Sequence, residues 1–302
     1  MRLYIAGLYT SNFDLAGGIY LPSSEGAKRL RENVSWFLES YHYIHKGKYV
    51  ERMRRDKVRI FLDSGAFSAF SLGAVIDIAA YAEFVKEHQD IIEMASVLDA
   101  IGDAEGTYKN QVELERRGAE VLPCFHYGEP WDICEYYVRN YKYITIGGMV
   151  PIPNAKLEPW LDELWDRVLT DKDGYARTKV HGFGQTSGKL MLKYPWYSVD
   201  SSSWIQMTAH GNIILPELFT SIAVSDRSPN RKQFGAHYDT MPEESKAYVR
   251  ALLEYYGLTL EEVQEGHRSR WALNCFTFDL VGKRLGDDHW RKPFTLSQGR
   301  LF

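Results

Sequence analysis

Two aspartates stand directly after short apolar segments, where a carboxylate is well placed to take part in chemistry. Asp63 follows 58–62 (Val-Arg-Ile-Phe-Leu), and Asp200 follows 196–199 (Trp-Tyr-Ser-Val). Short apolar segments of this kind are typical of strands buried on both faces of a parallel sheet. In α/β barrels the side chains just past the carboxyl ends of the strands line the active site. The pair therefore predicts nucleophilic and acid–base chemistry by two carboxylates, with the capping of a turn or helix as the alternative role for each aspartate.

Other apolar segments also end in residues that suit a ligand site. Asp99 follows one of them, and its carboxylate could accept hydrogen bonds from the N–H and NH₂ edge of a purine. His126 ends another, and Gly147, Gly148 and Met149 end a third with bare backbone that a flat ligand could approach. A structural histidine and a plain glycine turn are the alternatives for these positions.

The apolar segments alternate with amphipathic helices along most of the chain. The predicted strands are 2–6, 58–62, 95–98, 120–125, 143–147, 178–182, 196–199 and a weaker 219–224. The predicted helices are 26–44, 77–88, 105–117, 130–140, 157–169 and 186–194. Strands interleaved with helices indicate parallel βαβ units. Eight strands predict an α/β protein with a closed (β/α)₈ TIM barrel, and an open doubly wound sheet is the alternative.

The last part of the chain has a different pattern, because after about residue 240 only helices are predicted, at 242–256, 259–265 and 268–284. We therefore predict a TIM-barrel catalytic domain over 1–240 and a C-terminal helical extension over 241–302 that packs on the barrel. The loop 225–241 before it is polar and basic, which suits either a binding loop or a solvated connection.

Composition limits the classes of protein that the chain can belong to. With 302 residues, 45% hydrophobic and 25% charged, it is neither disordered nor fibrous. A net charge of −4 means that a nucleic-acid partner would have to be held by local basic patches. The cysteines, Cys124, Cys134 and Cys275, form no Cys-x-x-Cys pair, so we expect neither a disulfide framework nor a Cys-rich zinc site, and no residue is assigned to a metal. No signal peptide or membrane-length apolar run is recognised, which predicts a cytoplasmic protein without a membrane partner.

The ordered set of these motifs resembles a known family, the queuine and archaeosine type of tRNA-guanine transglycosylases. The motifs are Asp63-Ser64-Gly65-Ala66-Phe67, Asp99, Ile146-Gly147-Gly148 and Val199-Asp200, within the span 58–204. That family has Asp-Ser-Gly-Gly-Phe, an aspartate that reads the base, a Gly-Gly strand end and a late nucleophilic aspartate, all in a (β/α)₈ barrel. The Asp-Ser-Gly-Ala-Phe form in a short chain is most similar to the phage and bacterial branch that inserts 7-deazaguanine bases into DNA.

The resemblance implies a division of roles among the candidate residues. Asp200 would be the nucleophile that forms a covalent aspartyl–glycosyl intermediate, Asp63 the general acid and then base, and Asp99 the reader of the guanine edge. The other substrate-binding residues that it implies are Ser64, Gly65, Phe67, His126, Gly147, Gly148 and Met149. The implied partners are guanine sites in DNA and a free 7-deazaguanine base, such as 7-cyano-7-deazaguanine. No cofactor is needed, because one glycosidic bond replaces another.

Phosphate contacts with DNA would come from two basic groups. They are Arg227, Arg231 and Lys232 in the loop 225–241, and Lys46, Lys48, Arg52, Arg54, Arg55 and Lys57 earlier in the chain. Solvated surface charge is the alternative role for both groups.

The chain also departs from the tRNA enzymes of this family. They carry a Cys-x-Cys-x-x-Cys plus His zinc site after the nucleophile, whereas only Cys275 follows Asp200 here, and Ala66 replaces the second glycine of the first motif. Three alternatives therefore stay open: the same base exchange on tRNA, a retaining glycoside hydrolase, and a barrel that binds nucleic acid without catalysis.

Overall fold

Eight short parallel strands form one curled sheet. The structure is a computed structural model that describes residues 1–11, 32, 34–150, 152–185, 187–217 and 220–296. The strands of the sheet are β1 (Arg2–Ala6), β2 (Phe37–Ser40), β3 (Ile60–Asp63), β4 (Ile92–Ala95), β5 (Cys124–His126), β6 (Tyr143–Gly147), β7 (Lys179–Gly182) and β8 (Ser198–Ser201). Their order is β4-β3-β2-β1-β8-β7-β6-β5, and every pairing is parallel. All eight carboxyl ends therefore lie at one edge of the sheet.

The strands β4 and β5 are at the two ends of this order, and they meet at one isolated bridge between Ser96 and Leu122. There the amide of Val97 donates to the Leu122 carbonyl at 2.9 Å, and the amide of Leu122 donates to the Ala95 carbonyl at 2.8 Å. A cavity of about 450 Å³ is lined by residues 93–95 of β4 and by residues 118–122, which precede β5. The prediction of a barrel is thus confirmed as far as a curled, TIM-like parallel sheet, whose strand ladder is not continuous between β4 and β5.

Helices connect the strands, and three of them begin at side-chain caps. The helices are α1 (Tyr41–Ile44), α2 (Lys48–Asp56), α3 (Ala66–Ser71), α4 (Ile78–Glu87), α5 (Ala104–Arg116), α6 (Trp131–Asn140), α7 (Asn154–Leu164), α8 (Gly188–Lys193), α9 (Ser203–Ala209), α10 (Glu243–Tyr255), α11 (Leu260–Glu265) and α12 (His267–Leu285). Asp77, Asp103 and Thr259 accept hydrogen bonds from the first turns of α4, α5 and α11. Among the described helices, none has the length and apolar character that a bilayer span requires.

One of the eight sheet strands is not the one that the sequence predicts. Strand β2 lies inside the predicted helix 26–44, of which 26–31 and 33 are outside the described residues. Phe37 and Leu38 are buried, and the strand pairs with β1 on one side and β3 on the other. The apolar residues between 36 and 44 suit either period, and the tertiary pairing decides in favour of a strand.

The predicted strand 219–224 belongs to a different sheet. Strand β10 (Thr220–Ala223) pairs antiparallel in a separate hairpin with β9 (Asn212–Leu215), a strand that was not predicted from the sequence. Residue 219 lies outside the described part of the chain. The sheet therefore has the predicted number of parallel strands, but its eighth strand is β2 and not the predicted strand 219–224.

Large side chains cover the inner face of the curled sheet and fill its interior below the carboxyl ends of the strands. Tyr4, Leu38, Phe61 and Tyr143 form this inner cluster, and the rings of Tyr4 and Phe61 meet edge to face at 5.6 Å. Because the interior is filled, a ligand can bind only at the carboxyl edge of the sheet, where the loops begin.

The C-terminal helices pack on the sheet through α12, which contacts β1, α9 and β9. Asn274 on α12 accepts a hydrogen bond from the Ile214 amide at 2.8 Å and donates to the Trp204 carbonyl at 3.1 Å. The predicted helices 242–256, 259–265 and 268–284 agree with α10, α11 and α12, while the division into a catalytic domain and a C-terminal extension at residue 240 stays a prediction.

Candidate active site

Three carboxylates come together at the carboxyl edge of the sheet. Asp63 is the last residue of β3, Asp200 lies in β8, and Asp99 follows β4 by four residues rather than by the single residue that the sequence predicts. Burial first, and then the negative charges of Asp99 and Asp200, raise the pKa of Asp63 to about 7, against the lowering effect of the hydrogen bond from the Gly65 amide. A carboxyl group that titrates near neutrality can both give and take a proton.

The turn after β3 depends on glycine at position 65. Gly65 has φ of 75°, a left-handed conformation, and a Cβ there would lie 2.4 Å from Ser40 Oγ and 2.6 Å from His42 Cβ. Its amide donates to Asp63 Oδ2 at 3.0 Å, and the amide of the buried Ser64 donates to Ser96 Oγ at 3.0 Å. The Asp-Ser-Gly motif therefore orients the Asp63 carboxylate by its own backbone.

Asp200 is nearly buried and is held through one oxygen. Its Oδ1 accepts a hydrogen bond from the Gly184 amide at 2.8 Å and lies 3.3 Å from His181 Nε2. No described residue donates a hydrogen bond to Oδ2. A carboxylate fixed at one oxygen, with the other left unbonded by the described residues, is suited to nucleophilic attack.

A buried series of polar side chains begins at the histidine that contacts Asp200 and continues into the interior of the sheet. His181 Nδ1 lies 2.6 Å from Ser198 Oγ, which lies 2.6 Å from the Tyr143 hydroxyl, and the imidazole packs against Phe61 at 4.6 Å. None of these three polar residues was predicted from the sequence to belong to the site. His181 and Ser198 are cross-strand partners in β7 and β8, so only the register, which sequence does not provide, brings them together.

His126 lies among three other polar side chains. Its Nδ1 is 3.0 Å from Glu129 Oε1, and its Nε2 is 3.4 Å from both Cys124 Sγ and Asp99 Oδ1. Burial alone would lower the pKa of His126, but Cys124, Asp99 and Glu129 together raise it above its ordinary value. Burial raises the pKa of the Cys124 thiol to about 11. These three ligand-type side chains, Asp99, Cys124 and His126, are close enough to share one metal ion.

The two glycines at the end of β6 pack against β5 and the residue that follows it. A Cβ at Gly147 would lie 2.8 Å from His126 Cδ2 and 3.0 Å from Cys124 Sγ, and Gly148 has φ of 71° beside the Tyr127 amide. Met149 is buried. The bare backbone of Gly147 thus makes room for the His126 ring, and contact of these three residues with a base stays a prediction.

The aromatic side chain of the Asp-Ser-Gly-Ala-Phe motif is on the surface. Phe67 on α3 is 68% exposed, so its stacking on a base stays a prediction.

The basic loop is anchored at its start, where the amides of Val224 and Ser225 donate to the Gly211 carbonyl. Gly211 follows the end of α9 that points away from Asp200. Arg231 pairs with Asp226 at 3.4 Å and with Asp239 at 3.3 Å. DNA contact by Arg227, Arg231 and Lys232 likewise stays a prediction.

Comparison with known proteins does not add a family to these observations. No family model matches the sequence, and no curated protein matches it either. The function has therefore to be inferred from the residues of this site and from the resemblance of their motifs.

Proposed function

We propose that the chain is a pentosyltransferase that exchanges guanine in DNA for a 7-deazaguanine base, through a covalent bond between Asp200 and the sugar. The observation that carries the proposal is the meeting of Asp63, Asp99 and Asp200 in three different environments at one edge of the sheet. The motif resemblance supplies the class of substrate. The proposal takes the curled sheet to be a (β/α)₈ barrel. It also places the protein in the cytoplasm, which is that of the bacterial host if a phage encodes the chain.

The first half of the reaction opens the bond between the sugar and guanine. Asp200 Oδ2 attacks C1′, the C1′–O bond forms, and the bond from C1′ to guanine N9 breaks. Asp63, protonated below a pKa of about 7, gives its proton to the departing guanine. The hydrogen bond from Gly184 to Oδ1 holds the nucleophile in a fixed orientation during this step.

The second half restores the enzyme and places the new base. The incoming 7-deazaguanine loses its N9 proton to the Asp63 carboxylate while N9 attacks C1′ and the Asp200 carboxylate departs. The product keeps the original configuration at C1′, as in double displacement by retaining glycosidases. Protons and bonds balance over the two halves, so Asp63 and Asp200 return to their starting states.

Recognition of the base belongs to Asp99. Its carboxylate is half-buried beside His126, and it would accept hydrogen bonds from the N1–H and 2-amino groups that guanine and 7-deazaguanine share. Ser64, Gly65, Phe67 and the segment 147–149 would border the same pocket. In duplex DNA the target nucleotide would have to leave the stack, which costs about a few kcal/mol.

The proposal is tested by base exchange with labelled guanine. The purified chain is mixed with guanine-containing DNA or with tRNA and labelled guanine or 7-deazaguanine, and incorporation into polymer is counted. We expect label in DNA with the wild type and none with Asp200→Asn. Asp103→Asn, at the exposed cap of α5, is the matched control and should keep full activity.

Each other outcome assigns a different function. Label in tRNA alone moves the activity to RNA, and sugar release from a chromogenic glycoside indicates a glycoside hydrolase. Tight DNA binding without any exchange indicates a protein that binds without catalysis. Exchange that persists in Asp200→Asn overturns the role of the nucleophile.

A further inference from the structure

Three side chains with the chemistry of metal ligands meet at the carboxyl ends of β4 and β5. Cys124 and His126 alternate along β5, so both point to the same face of the sheet. Asp99 arrives from the loop after β4. The ligand atoms of all three lie within 4.8 Å of one another. Thiolate, imidazole and carboxylate together are a donor set that zinc accepts.

Two of the three separations between the ligand atoms fit tetrahedral coordination. Zinc binds sulfur at about 2.3 Å and nitrogen or oxygen at about 2.0 to 2.2 Å, so neighbouring ligands of a tetrahedral ion are about 3.3 to 3.6 Å apart. His126 Nε2 is 3.4 Å from Cys124 Sγ and 3.4 Å from Asp99 Oδ1. Both separations agree with tetrahedral coordination, and the ligand atoms of Asp99 and Cys124 lie within 4.8 Å of each other.

The surroundings orient His126 as metal-binding histidines are oriented. Its Nδ1 faces Glu129 Oε1 at 3.0 Å, and its backbone amide donates to Glu129 Oε2 at 2.9 Å. A carboxylate that binds the far nitrogen of a histidine is the usual support for a metal ligand, because it fixes the ring and leaves the near nitrogen as the donor to the ion. Here that near nitrogen is Nε2, the atom that faces Asp99 and Cys124.

A second observation points to a cation at the same place. Asp99 Oδ1 is buried, yet no described residue gives it a hydrogen bond in acceptable geometry. A buried carboxylate oxygen without a donor is costly unless a cation or water satisfies it. The ring of His126 is within 3.4 Å of this oxygen, so an ion between them would satisfy both groups.

We propose that Asp99, Cys124 and His126 bind one divalent transition-metal ion, with Zn²⁺ the best match, and that Glu129 positions His126. The thiolate and carboxylate charges balance the charge of the ion. Three protein ligands leave a fourth position for water or for a bound molecule. Coordination through Asp99 Oδ1 leaves Oδ2 for a base edge, so the site is compatible with base exchange but does not depend on it.

The experiment measures metal directly and does not use activity. The full chain is stripped with a chelator and titrated with Zn²⁺ or Co²⁺, followed by elemental analysis and absorption spectroscopy. We expect about one ion per chain and, with Co²⁺, the near-ultraviolet charge-transfer band of a thiolate ligand. Cys124→Ser should remove this band, whereas Cys134→Ser, at a buried cysteine on α6, should keep it.

The positioning role of Glu129 has its own readout. Glu129→Gln should lower the affinity for Zn²⁺ by roughly 10 to 100-fold and leave the stoichiometry unchanged. X-ray absorption of the zinc-bound wild type should show one sulfur at about 2.3 Å and lighter donors at about 2.0 Å, a result that does not depend on any variant folding.

Three results would overturn the proposal. They are a wild-type chain that binds neither ion, a thiolate band that survives Cys124→Ser, and zinc-bound protein without a sulfur neighbour. The base-exchange proposal fails separately, through Asp200, so the two failures can be told apart.

Discussion

At the scale of single residues, environment separates two aspartates that look alike in the sequence. Asp63 is crowded by two other carboxylates and has its pKa raised to about 7. Asp200 receives a backbone amide at 2.8 Å on one oxygen. The same side chain can therefore exchange protons at one position and serve as an oriented nucleophile at the other.

The raised pKa of Asp63 predicts that this residue reduces stability at alkaline pH. Because its folded-state pKa is about 7 against an ordinary 3.8, its contribution is fully favourable below pH 3.8 and is lost as the pH rises to 7. Asp63→Asn removes this loss. Its stability relative to the wild type should improve between pH 5 and pH 8 by on the order of 2 to 3 kcal/mol.

Denaturant unfolding at the two pH values checks this prediction. Asp103→Asn at the exposed cap of α5 is the control. If the control gains as much as Asp63→Asn over the same pH range, the burial of Asp63 among like charges is not the cause.

The sequence could identify the acids but not their partners. Asp63, Asp99 and Asp200 are visible because each follows an apolar segment. The support of Asp200 by His181 and the meeting of Asp99 with Cys124 depend on distances between separate strands. Cys124-x-His126 was the one local signal for a metal site, because alternate residues on a strand share a face.

At the scale of elements, the turn between β3 and α3 is the part whose geometry the site needs most. Two left-handed glycines flank α3, and they differ in the space around them. A Cβ at Gly65 would meet Ser40 and His42 below 3.0 Å, whereas a Cβ at Gly73 would meet nothing within 4 Å. Substitutions at the two glycines therefore distinguish the cost of a left-handed backbone from the cost of a steric clash.

Substitution of these two glycines by alanine should therefore have unequal effects. Gly73→Ala should cost about 1 kcal/mol from the left-handed backbone alone. Gly65→Ala adds a collision with β2 and should cost about 1 to 3 kcal/mol more, and base exchange should fall with it because Asp63 is displaced. Unfolding free energies and exchange rates of the two variants decide the matter, and equal costs would show that the contact with Ser40 is unimportant.

Prediction of elements from sequence succeeded where one periodicity dominated. Strands β1, β6 and β7 and helices α4, α5 and α12 agree with the sequence to within about two residues, the usual uncertainty of helix ends. Strand β2 was missed because the apolar residues between 36 and 44 suit either period and Glu39 interrupts them. In the structure Glu39 is buried and accepts a hydrogen bond from the Tyr9 amide at 2.6 Å.

At the scale of the whole molecule, the curled parallel sheet gathers residues from six strand ends at one edge. The basic groups that we propose for DNA are unequally placed around that edge. Lys46 and Lys48 follow β2 and are exposed near its carboxyl end, whereas the loop 225–241 is anchored at the far end of α9, about 10 Å along the helix from Asp200. Arg54 is already paired with Asp90 at 2.7 Å.

This placement predicts which basic residues affect DNA binding. The double change Lys46→Ala and Lys48→Ala should reduce the slope of log affinity against log salt by about two. The triple change Arg227→Ala, Arg231→Ala and Lys232→Ala should reduce it less. Fluorescence titrations with DNA over a range of salt measure both slopes, and a larger loss with the triple variant would place the DNA on the loop instead.

The covalent intermediate is the most direct test of the central claim that Asp200 is a nucleophile. The chain is incubated with a guanine-containing oligonucleotide, without an acceptor base, and the intact mass of the acid-quenched protein is measured. We expect an added mass equal to the oligonucleotide less one guanine, mapped by peptide analysis to Asp200 and absent in Asp200→Asn. A wild-type protein that exchanges bases without this adduct, or an adduct on another residue, would contradict the mechanism.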